Sequence, residues 1–506
     1  MEILIFIFPF LSFLISLLPF SSKYFDIVII INCFCMIFSF FMSVYLFIKL
    51  FQLNNDTPLY FYPLIQSNQN LVDWSLRLDL YVSTFILIIT FISSLVVIFS
   101  INFYKDRFLN LQLIRNLSLL TFGMLIIVSS NNLIQFFISW QIILFSFFLL
   151  IKNQKRNNNI VKNSQIFLHN RLSDLGLFLS VYILYKLNNS INFETIFESN
   201  NFVNNNFFFL GVIINKAELA MFLLFFSFLL RFRQFFISNC IYDIKHLNIP
   251  TLTLIFCSTL MPLIMFFAFR FFPMINSTPN FLNTMIILSS FLTMILIYLS
   301  FRTTNIKTLI SYLACSQVCI IFYIFCLKEY HAAMFYFISL SLSITMLFLS
   351  LGFVISKLNN ISNVKNMGGL FFKMPTMFLF TLIPFLSISG IPYFSGYYSY
   401  EVIISSLYLK KTFFIPSLLL GISASFLISY VLLKNIFLIF LGNNKGNIHQ
   451  FNKINESSFV NKLVLYCLAI CIVFSGWLLK NLFDSANAEF LWSLLIYDEV
   501  NYSIRA

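Results

Sequence analysis

The stretch NLIQFFISWQIILFSFFLLI, residues 132–151, decides the fold of this chain. Its length matches the roughly 20 apolar residues that a helix needs to cross the hydrocarbon core of a bilayer. Gln141 lies in the middle of it, directly after Trp140. A polar side chain in such a helix is costly and marks a possible functional path. A proton carrier there would need a carboxylate, and glutamine does not titrate, so what the chain does depends on its other buried polar groups.

The composition extends this interpretation to the whole chain. Of its 506 residues, 60% are hydrophobic and 10% are charged. Soluble proteins carry about 25% charged residues, so these values indicate a membrane protein. We count roughly fourteen apolar stretches of spanning length. They lie near residues 3–20, 25–50, 80–103, 112–130, 132–151, 165–187, 207–232, 251–272, 281–300, 308–327, 332–356, 376–393, 412–441 and 461–480. The polar stretches between them are too short for a soluble domain, and we expect one all-α polytopic membrane protein.

The net charge of +13 is distributed unevenly between the loops. Loops after odd-numbered spans hold roughly twice as many Lys and Arg as loops after even-numbered spans, which by the positive-inside rule places them in the matrix or cytoplasm. Met1 is then on the opposite side. This orientation accounts for the net positive charge of the chain without a nucleic-acid partner.

The nine cysteines and four histidines form no metal-ligand pattern. Cys315 and Cys319 stand at i,i+4, as do Cys467 and Cys471, and we interpret them as small buried hydrophobic residues. The N-terminus enters a span directly and lacks the Arg- and Ser-rich character of a transit peptide. The bias toward Phe (70 residues) and away from Gly (12 residues) fits an A+T-rich coding sequence, as in many organelle genomes.

Two spans contain helix-breaking residues. The clearer case is SGIPYFSGYYSYE, residues 389–401, in which Gly390, Pro392 and Gly396 interrupt the twelfth span. Breaks at membrane depth are tolerated where the freed backbone lines protein or water, and a carboxylate follows this one, so we interpret it as functional. A second break is predicted near Pro262 in the eighth span, where a kink used only for packing is an equal alternative.

Ionisable groups inside the spans are the next candidates. Arg171 and Asp174 stand at i,i+3, a spacing that puts them on one helix face where they can neutralise each other. Proton conduction needs groups that titrate near neutral pH, and buried Lys and Glu can be shifted there. Lys307 and Glu401 are therefore the best candidate relay groups. Arg231 would be a fixed charge, because a guanidinium stays protonated.

Seven blocks of the chain, taken in order and spacing, resemble the chain 5 family of NADH–ubiquinone oxidoreductase, the distal antiporter-like subunit of respiratory complex I. The blocks are VDWSLRLDLYVS (72–83), SINFYKDRF (100–108), SWQIILFSFFLLI (139–151), HNRLSDLG (169–176), TNIKTLISYLACSQ (304–317), KNMGGLFFKMP (365–375) and SGIPYFSGYYSYE (389–401). The resemblance implies fourteen core helices that form two inverted five-helix repeats with broken helices. It divides the chain into N-terminal helices with an external loop (1–110), an antiporter-like core (111–440) and a C-terminal helix with a short tail (441–506).

The residues that the family uses are carried over unevenly. The family's Trp-Glu pair in the fifth helix falls on Trp140-Gln141, so the carboxylate is missing. Its seventh-helix lysine falls on Arg231, where a permanent cation replaces a titrating amine. Its twelfth-helix Lys-Asp pair falls on Tyr400-Glu401, which keeps only the acid. Family histidines and a lysine of the eighth and eleventh helices fall on Phe256, Tyr336, Leu340 and Ile344. The resemblance leaves as proton-path candidates Lys307, Glu401, Arg231, Gln141, Arg171 and Asp174.

The C-terminus departs from the family pattern as well. About 25 residues follow the last predicted span, too few at 1.5 Å per residue for the family's lateral helix and its anchoring span. We expect either another chain or neighbouring subunits to replace that element.

The resemblance implies a core membrane-arm subunit of proton-translocating NADH:ubiquinone reductase in the mitochondrial inner membrane. Its expected partners are chains 4 and 2, accessory subunits and the lipid bilayer, with no nucleic acid. We expect no cofactor on this chain, which has no Cys cluster and no GxGxxG loop, and we expect FMN and iron–sulfur clusters on other subunits. Two alternatives remain open, a structural subunit with a closed channel and a free-standing cation/proton antiporter.

Overall fold

Helices make up most of the computed structural model of the chain. The structure describes residues 2–19, 21–53, 57–66, 71–101, 103, 106–154, 160–198, 206–209, 212–236, 247–358, 360–410, 414–443 and 459–483. The helices are α1 (Leu4–Leu17), α2 (Phe25–Leu53), α3 (Leu80–Ser100), α4 (Arg107–Val128), α5 (Leu133–Gln154), α6 (Ile160–Asn188), α7 (Phe193–Glu198), α8 (Lys216–Phe236), α9 (Ile249–Thr253), α10 (Met261–Arg270), α11 (Phe272–Ser277), α12 (Pro279–Arg302), α13 (Ile306–Cys326), α14 (Tyr330–Lys357), α15 (Pro375–Ile388), α16 (Ser395–Lys410), α17 (Phe414–Ile436) and α18 (Phe459–Phe483). The prediction of an all-α polytopic fold is confirmed.

Ten helical stretches of the described chain are long and apolar enough to cross a membrane. They are Ser22–Gln52, Leu80–Ser100, Arg107–Val128, Leu133–Leu150, Ile249–Arg270, Pro279–Arg302, Ile306–Cys326, Tyr330–Lys357, Leu420–Leu441 and Phe459–Lys480. The helices α1 and α15 are apolar but shorter. Every predicted span overlaps one of the described helices, since runs of about 20 apolar residues satisfy their backbone groups in lipid only as helices.

The start predicted for the seventh span is wrong. Strands β3 (Asn206–Phe209) and β4 (Val212–Asn215) form an antiparallel pair with Phe207 opposite Ile214, and α8 begins only after them. An apolar run rich in aromatic and β-branched residues fits a strand as well as a helix, so periodicity alone does not separate the two. A second antiparallel pair, β1 (Thr57–Gln66) and β2 (Leu71–Leu78), precedes α3 and was not predicted.

The centre of the bundle is formed by α13 and α14. Every residue of α13 is buried, and so is nearly all of α14. By contrast, only a third of the apolar span is buried in α12 and in α18. Polar side chains on α13 and α14 therefore meet protein rather than lipid, and their partners define the interior of the fold.

The predicted break in the twelfth span is present. Helix α15 ends at Ile388 and α16 begins at Ser395, with Gly390 between them at φ +74°, a conformation that favours glycine. Gly396 lies not in the break but in the first turn of α16, where a methyl group would overlap the carbonyl oxygen of Ser387. Glycine at this position thus lets α16 start close to the end of α15.

The eighth span is widened rather than interrupted near Pro262. A π-helical segment, Leu254–Leu260, joins α9 to α10, and Pro262 follows it in the first turn of α10. Proline has no N–H to donate to the preceding turn, and a local π-helix accommodates the missing bond. The helix axis therefore continues through this point.

Candidate functional site

The predicted pair of Arg171 and Asp174 is confirmed, and it has a third member. Arg171 Nη1 lies 3.3 Å from Asp174 Oδ2 on α6. The indole Nε1 of Trp140, on α5, donates a hydrogen bond of 3.1 Å to Asp174 Oδ1. Asp174 is buried while Arg171 is 44% exposed, so the carboxylate is the interior partner. Trp140 also packs edge-to-face against Phe228 of α8, with ring centroids 4.9 Å apart.

Gln141 lies beside this group without joining it. Consecutive residues of a helix point about 100° apart, so Trp140 can face Asp174 while Gln141 does not. Gln141 is half-buried, and its amide makes no hydrogen bond to another described residue. The carboxylate next to the fifth helix is therefore supplied by Asp174 of α6.

At Arg231, which the resemblance aligns with the family's seventh-helix lysine, the structure describes only the backbone. Arg231 lies in α8 near its C-terminal end. The side chains of Arg231, Arg233 and Gln234 lie outside the described residues. The role predicted for Arg231, that of a fixed charge, stays a prediction.

Lys307 is enclosed at the start of α13. Its side chain is 8% exposed, and Nζ donates a hydrogen bond of 2.8 Å to the carbonyl oxygen of Leu247, just ahead of α9. Asn305 caps the helix by accepting from the backbone N–H of Lys307 at 3.1 Å. A cation at a helix N-terminus opposes the helix dipole, so the ammonium group is held by its carbonyl partner rather than by the helix.

Glu401 has its own partner and is not enclosed with Lys307. Both carboxylate oxygens lie within 3.0 Å of Lys480 Nζ of α18, at 2.9 and 3.0 Å. Glu401 is 43% exposed and Lys480 30%. The structure thus places the two best relay candidates in separate settings, one inside the bundle and one on its outer face.

A neutral hydrogen-bonded chain includes Tyr336 and Tyr400, which the resemblance aligns with ionisable residues of the family. Tyr336 of α14 donates to Gln317 Oε1 of α13 at 2.6 Å, and its hydroxyl oxygen lies 2.9 Å from that of Tyr400 on α16. Gln317 and Tyr336 are buried, and Tyr400 is half-buried beside the break between α15 and α16. The other aligned positions, Phe256, Leu340 and Ile344, are buried hydrophobic residues.

Sequence reasoning missed a buried charge cluster at the end of α10. Arg270 is 4% exposed and donates to the hydroxyl of Tyr81 at 2.6 Å and to the carbonyl oxygen of Ser130 at 3.1 Å. Its Nη1 also lies 3.4 Å from Asp79 Oδ2, which Arg77 approaches to 2.8 Å. The cluster ties the β2–α3 junction to the turn between α4 and α5. The criterion applied to Gln141, a polar residue in an otherwise apolar span, also applies to Arg270 and would have identified this cluster.

Gln317 was likewise not among the polar residues that the sequence analysis singled out. It lies in the block TNIKTLISYLACSQ and, like Gln141, is a glutamine within an apolar span. The rule that singled out Gln141 applies to it equally. Its partner Tyr336 could not be identified from spacing, because it lies on another helix.

Two family models match the chain. The model described as NADH:quinone oxidoreductase/Mrp antiporter, TM, matches residues 130–428. The model described as NADH-ubiquinone oxidoreductase (complex I), chain 5 N-terminus, matches residues 65–107. The second match includes Asp79 and Arg77 of the charge cluster.

Similar proteins carry related names. The chain is 27% identical over 474 residues to NADH-ubiquinone oxidoreductase chain 5 of Chondrus crispus, with 92% of this chain and 71% of the relative covered. It is 26% identical over 506 residues to the chain 5 protein of Acanthamoeba castellanii, covering 98% and 74%. It is 28% identical over 431 residues to NADH-quinone oxidoreductase subunit L of Rhodobacter capsulatus, covering 80% and 59%.

A solved structure has the same fold. A chain of the membrane-bound sulfane sulfur reductase, an archaeal respiratory membrane complex, superposes with a TM-score of 0.78. The match covers 96% of this chain and 97% of that chain at 15% sequence identity. At that identity the likeness establishes the fold alone.

Proposed function

The chain belongs to the NADH:quinone oxidoreductase/Mrp antiporter transmembrane family, and on that premise we propose that it is a core membrane-arm subunit of respiratory complex I. In this role it contributes to proton translocation coupled to electron transfer from NADH to ubiquinone. The match of the chain 5 N-terminal model to residues 65–107 supports complex I over a free-standing cation/proton antiporter.

The observation that carries proton translocation is the setting of Lys307. Its ammonium group is enclosed in the bundle and held by the carbonyl oxygen of Leu247 at 2.8 Å. A primary amine can release and regain a proton in such a setting, whereas a guanidinium cannot. Lys307 is therefore the proposed titrating group of this subunit, with Asp174 and Arg171 as a second polar station.

A second candidate function is a structural subunit with a closed channel. It is favoured by the neutral side chains at Gln141, Tyr336 and Phe256 and by the pairing of Glu401 with Lys480 on the outer face. In that case the chain would hold the membrane arm together without conducting protons itself.

The proposal also covers partners and place. Chains 4 and 2 and accessory subunits are the proposed neighbours, in the lipid bilayer of the mitochondrial inner membrane. We propose that this chain performs no redox chemistry and that FMN and the iron–sulfur clusters belong to other subunits. Among the described residues, no three His, Cys, Asp or Glu side chains come together as a metal site.

The test is the ratio of protons translocated to NADH oxidised by the intact complex in sealed vesicles. The variants are Lys307→Met and Lys307→Arg, and the matched control is Lys434→Met, an exposed lysine of α17 that lies 4.4 Å from the Phe301 ring. If Lys307 titrates, both Lys307 variants lower the ratio while assembly and NADH oxidation persist, because arginine keeps the charge but does not release its proton.

The same experiment separates the two candidates. A ratio that stays at the wild-type value in both Lys307 variants, with the complex assembled, would favour the structural role. Migration of the chain apart from NADH dehydrogenase activity on a native gel would contradict membership of the complex.

A further inference from the structure

The chain of Gln317, Tyr336 and Tyr400 joins three helices through side chains that carry no charge. Two hydrogen bonds of 2.6 and 2.9 Å link them, from α13 through α14 to α16. The rings of the two tyrosines also pack together, with centroids 5.2 Å apart. The three groups therefore form one connected unit at the centre of the bundle.

The protons of this unit can be assigned by counting donors. Each tyrosine has one hydroxyl proton. Tyr336 donates its proton to Gln317 Oε1, so the bond between the two hydroxyls takes its proton from Tyr400. This leaves the Nε2 amide of Gln317 without a hydrogen-bond partner among the described residues, although the side chain is 1% exposed.

A buried amide that no protein group satisfies is a candidate position for an ordered water. Buried polar groups in proteins are nearly always satisfied, and where protein does not supply the partner an ordered water does. The Nε2 amide of Gln317 is a donor only, on the same side chain whose Oε1 accepts from Tyr336. The chemistry fits a water molecule, which accepts from the amide and donates onward.

More hydroxyl groups lie nearby, between α14 and α16 and at the break. Ser339 donates to Ser399 at 3.2 Å, one residue from Tyr400. Where α15 meets α16, the hydroxyls of Ser387 and Ser395 lie 3.1 Å apart. The carbonyl oxygen of Ile388, at the end of α15, lies 3.5 Å from the Tyr400 hydroxyl. Groups of this kind hold water without adding charge.

We propose that Gln317, Tyr336 and Tyr400 form a water-binding site that passes protons between α13 and the α15–α16 break without a side chain that titrates near neutral pH. This proposal rests on the proposed function and adds three residues to it, of which the resemblance places Tyr336 and Tyr400 where the family has an ionisable side chain. Bound water accepts the excess proton on one side and releases one on the other, so each side chain ends in its starting protonation state. The tyrosines stay neutral, since their hydroxyls ordinarily ionise only near pH 10.

The decisive variants remove one hydrogen-bonding group each. They are Gln317→Leu, Tyr336→Phe and Tyr400→Phe, and the matched control is Tyr312→Phe, a buried tyrosine of α13. All are made in the intact complex, and the readout is the ratio of protons to NADH in sealed vesicles. We expect each of the three to lower the ratio by the same amount as Lys307→Met, with NADH oxidation by the assembled complex retained and the control unchanged.

The outcomes separate this proposal from the proposed function. If Lys307→Met lowers the ratio and the three variants do not, the water site is wrong and the proposed function stands. If Lys307→Met does not change the ratio of protons to NADH, the proposed function itself is contradicted, whatever the three variants show. A density map of the unmodified complex gives a test that does not depend on folding of the variants: water within hydrogen-bond distance of Gln317 Nε2 is expected, and an empty or apolar-filled place would overturn the proposal.

Discussion

The hydroxyl oxygens of Tyr336 and Tyr400 lie 2.9 Å apart, although 64 residues separate them in the chain. The resemblance aligns each with an ionisable side chain of the family. In the structure the two hydroxyls meet and form a neutral pair between α14 and α16.

This contact predicts a coupling between the two tyrosines. Tyr336→Phe and Tyr400→Phe each remove one side of the bond, so the double variant should lose less stability than the sum of the single variants. We expect a coupling energy of about 0.5–1.5 kcal/mol in the free energy of unfolding of the assembled subunit. A cycle of Tyr336→Phe with Tyr312→Phe is the control, and additivity within roughly 0.5 kcal/mol is expected there. Additive losses in the first cycle would contradict the contact.

The group around Asp174 predicts an order of severity among its variants. Asp174→Asn keeps an oxygen that accepts from the Trp140 indole but loses the charge that pairs with Arg171. Asp174→Ala loses both, and a buried indole N–H left without an acceptor costs about 1–3 kcal/mol. We therefore expect complexes with Asp174→Ala to dissociate at a lower temperature than those with Asp174→Asn. The dissociation temperature of complexes with Trp140→Phe should lie closer to that of Asp174→Asn than to that of Asp174→Ala, because the phenylalanine ring still packs against Phe228. Equal losses of stability in Asp174→Asn and Asp174→Ala would show that the hydrogen bond from the Trp140 indole contributes nothing.

The cluster at Arg270 predicts a large loss of stability. Arg270→Met leaves Tyr81 and the Ser130 carbonyl oxygen without their donor and takes one of two cations from the buried Asp79. Removing one member of a buried ion pair costs about 3–5 kcal/mol. The measurement is the amount of assembled complex and its thermal midpoint. Arg302→Met is the matched control, an exposed arginine 5.0 Å from the Tyr298 ring, for which about 0.5–1 kcal/mol is expected. A loss for Arg270→Met no greater than that of the control would contradict the role of the cluster.

The close approach of α16 to the end of α15 predicts that alanine destabilises the protein at Gly396, in α16, but not at Gly421, in α17. In Gly396→Ala the new methyl group would overlap the Ser387 carbonyl oxygen, and overpacking of this kind costs about 1–3 kcal/mol or more. In Gly421→Ala, in α17, nothing lies within 4 Å of the new methyl group. Alanine is favoured over glycine in a helix by about 0.5–1 kcal/mol, so this variant should be neutral or more stable. Thermal denaturation of the two variants side by side tests the close approach, and similar behaviour would count against it.

Features that depend on neighbouring residues were predictable from the sequence. The ion pair of Arg171 and Asp174 follows from i,i+3 spacing on one helix, and the end of α15 follows from Gly390 and Pro392. The seventh span shows the limit of this reasoning. Its apolar run favours strand and helix alike, and the β3–β4 pairing that decides between them is not visible in the pattern of a single stretch.

Contacts between distant residues were not predictable. Asp79 and Arg270 lie 191 residues apart, and Glu401 and Lys480 lie 79 apart. Each of these residues could be recognised as an ionisable group in or near an apolar span. Which of them would be enclosed and which would lie on the outer face depends on how the helices pack, and that is why Lys307 and Glu401 look alike in sequence but differ in the structure.

The sequence by itself determined that this is a many-spanning helical membrane protein and where most of its spans lie. These properties follow from local composition, because transfer of a segment into lipid depends on its own apolar surface and on hydrogen bonding within it. Only the tertiary structure decided that Trp140 rather than Gln141 meets Asp174 and that Tyr336 meets Tyr400. The reason is that a polar group inside the bundle takes its partner from another helix, and the packing of those helices is a property of the whole chain.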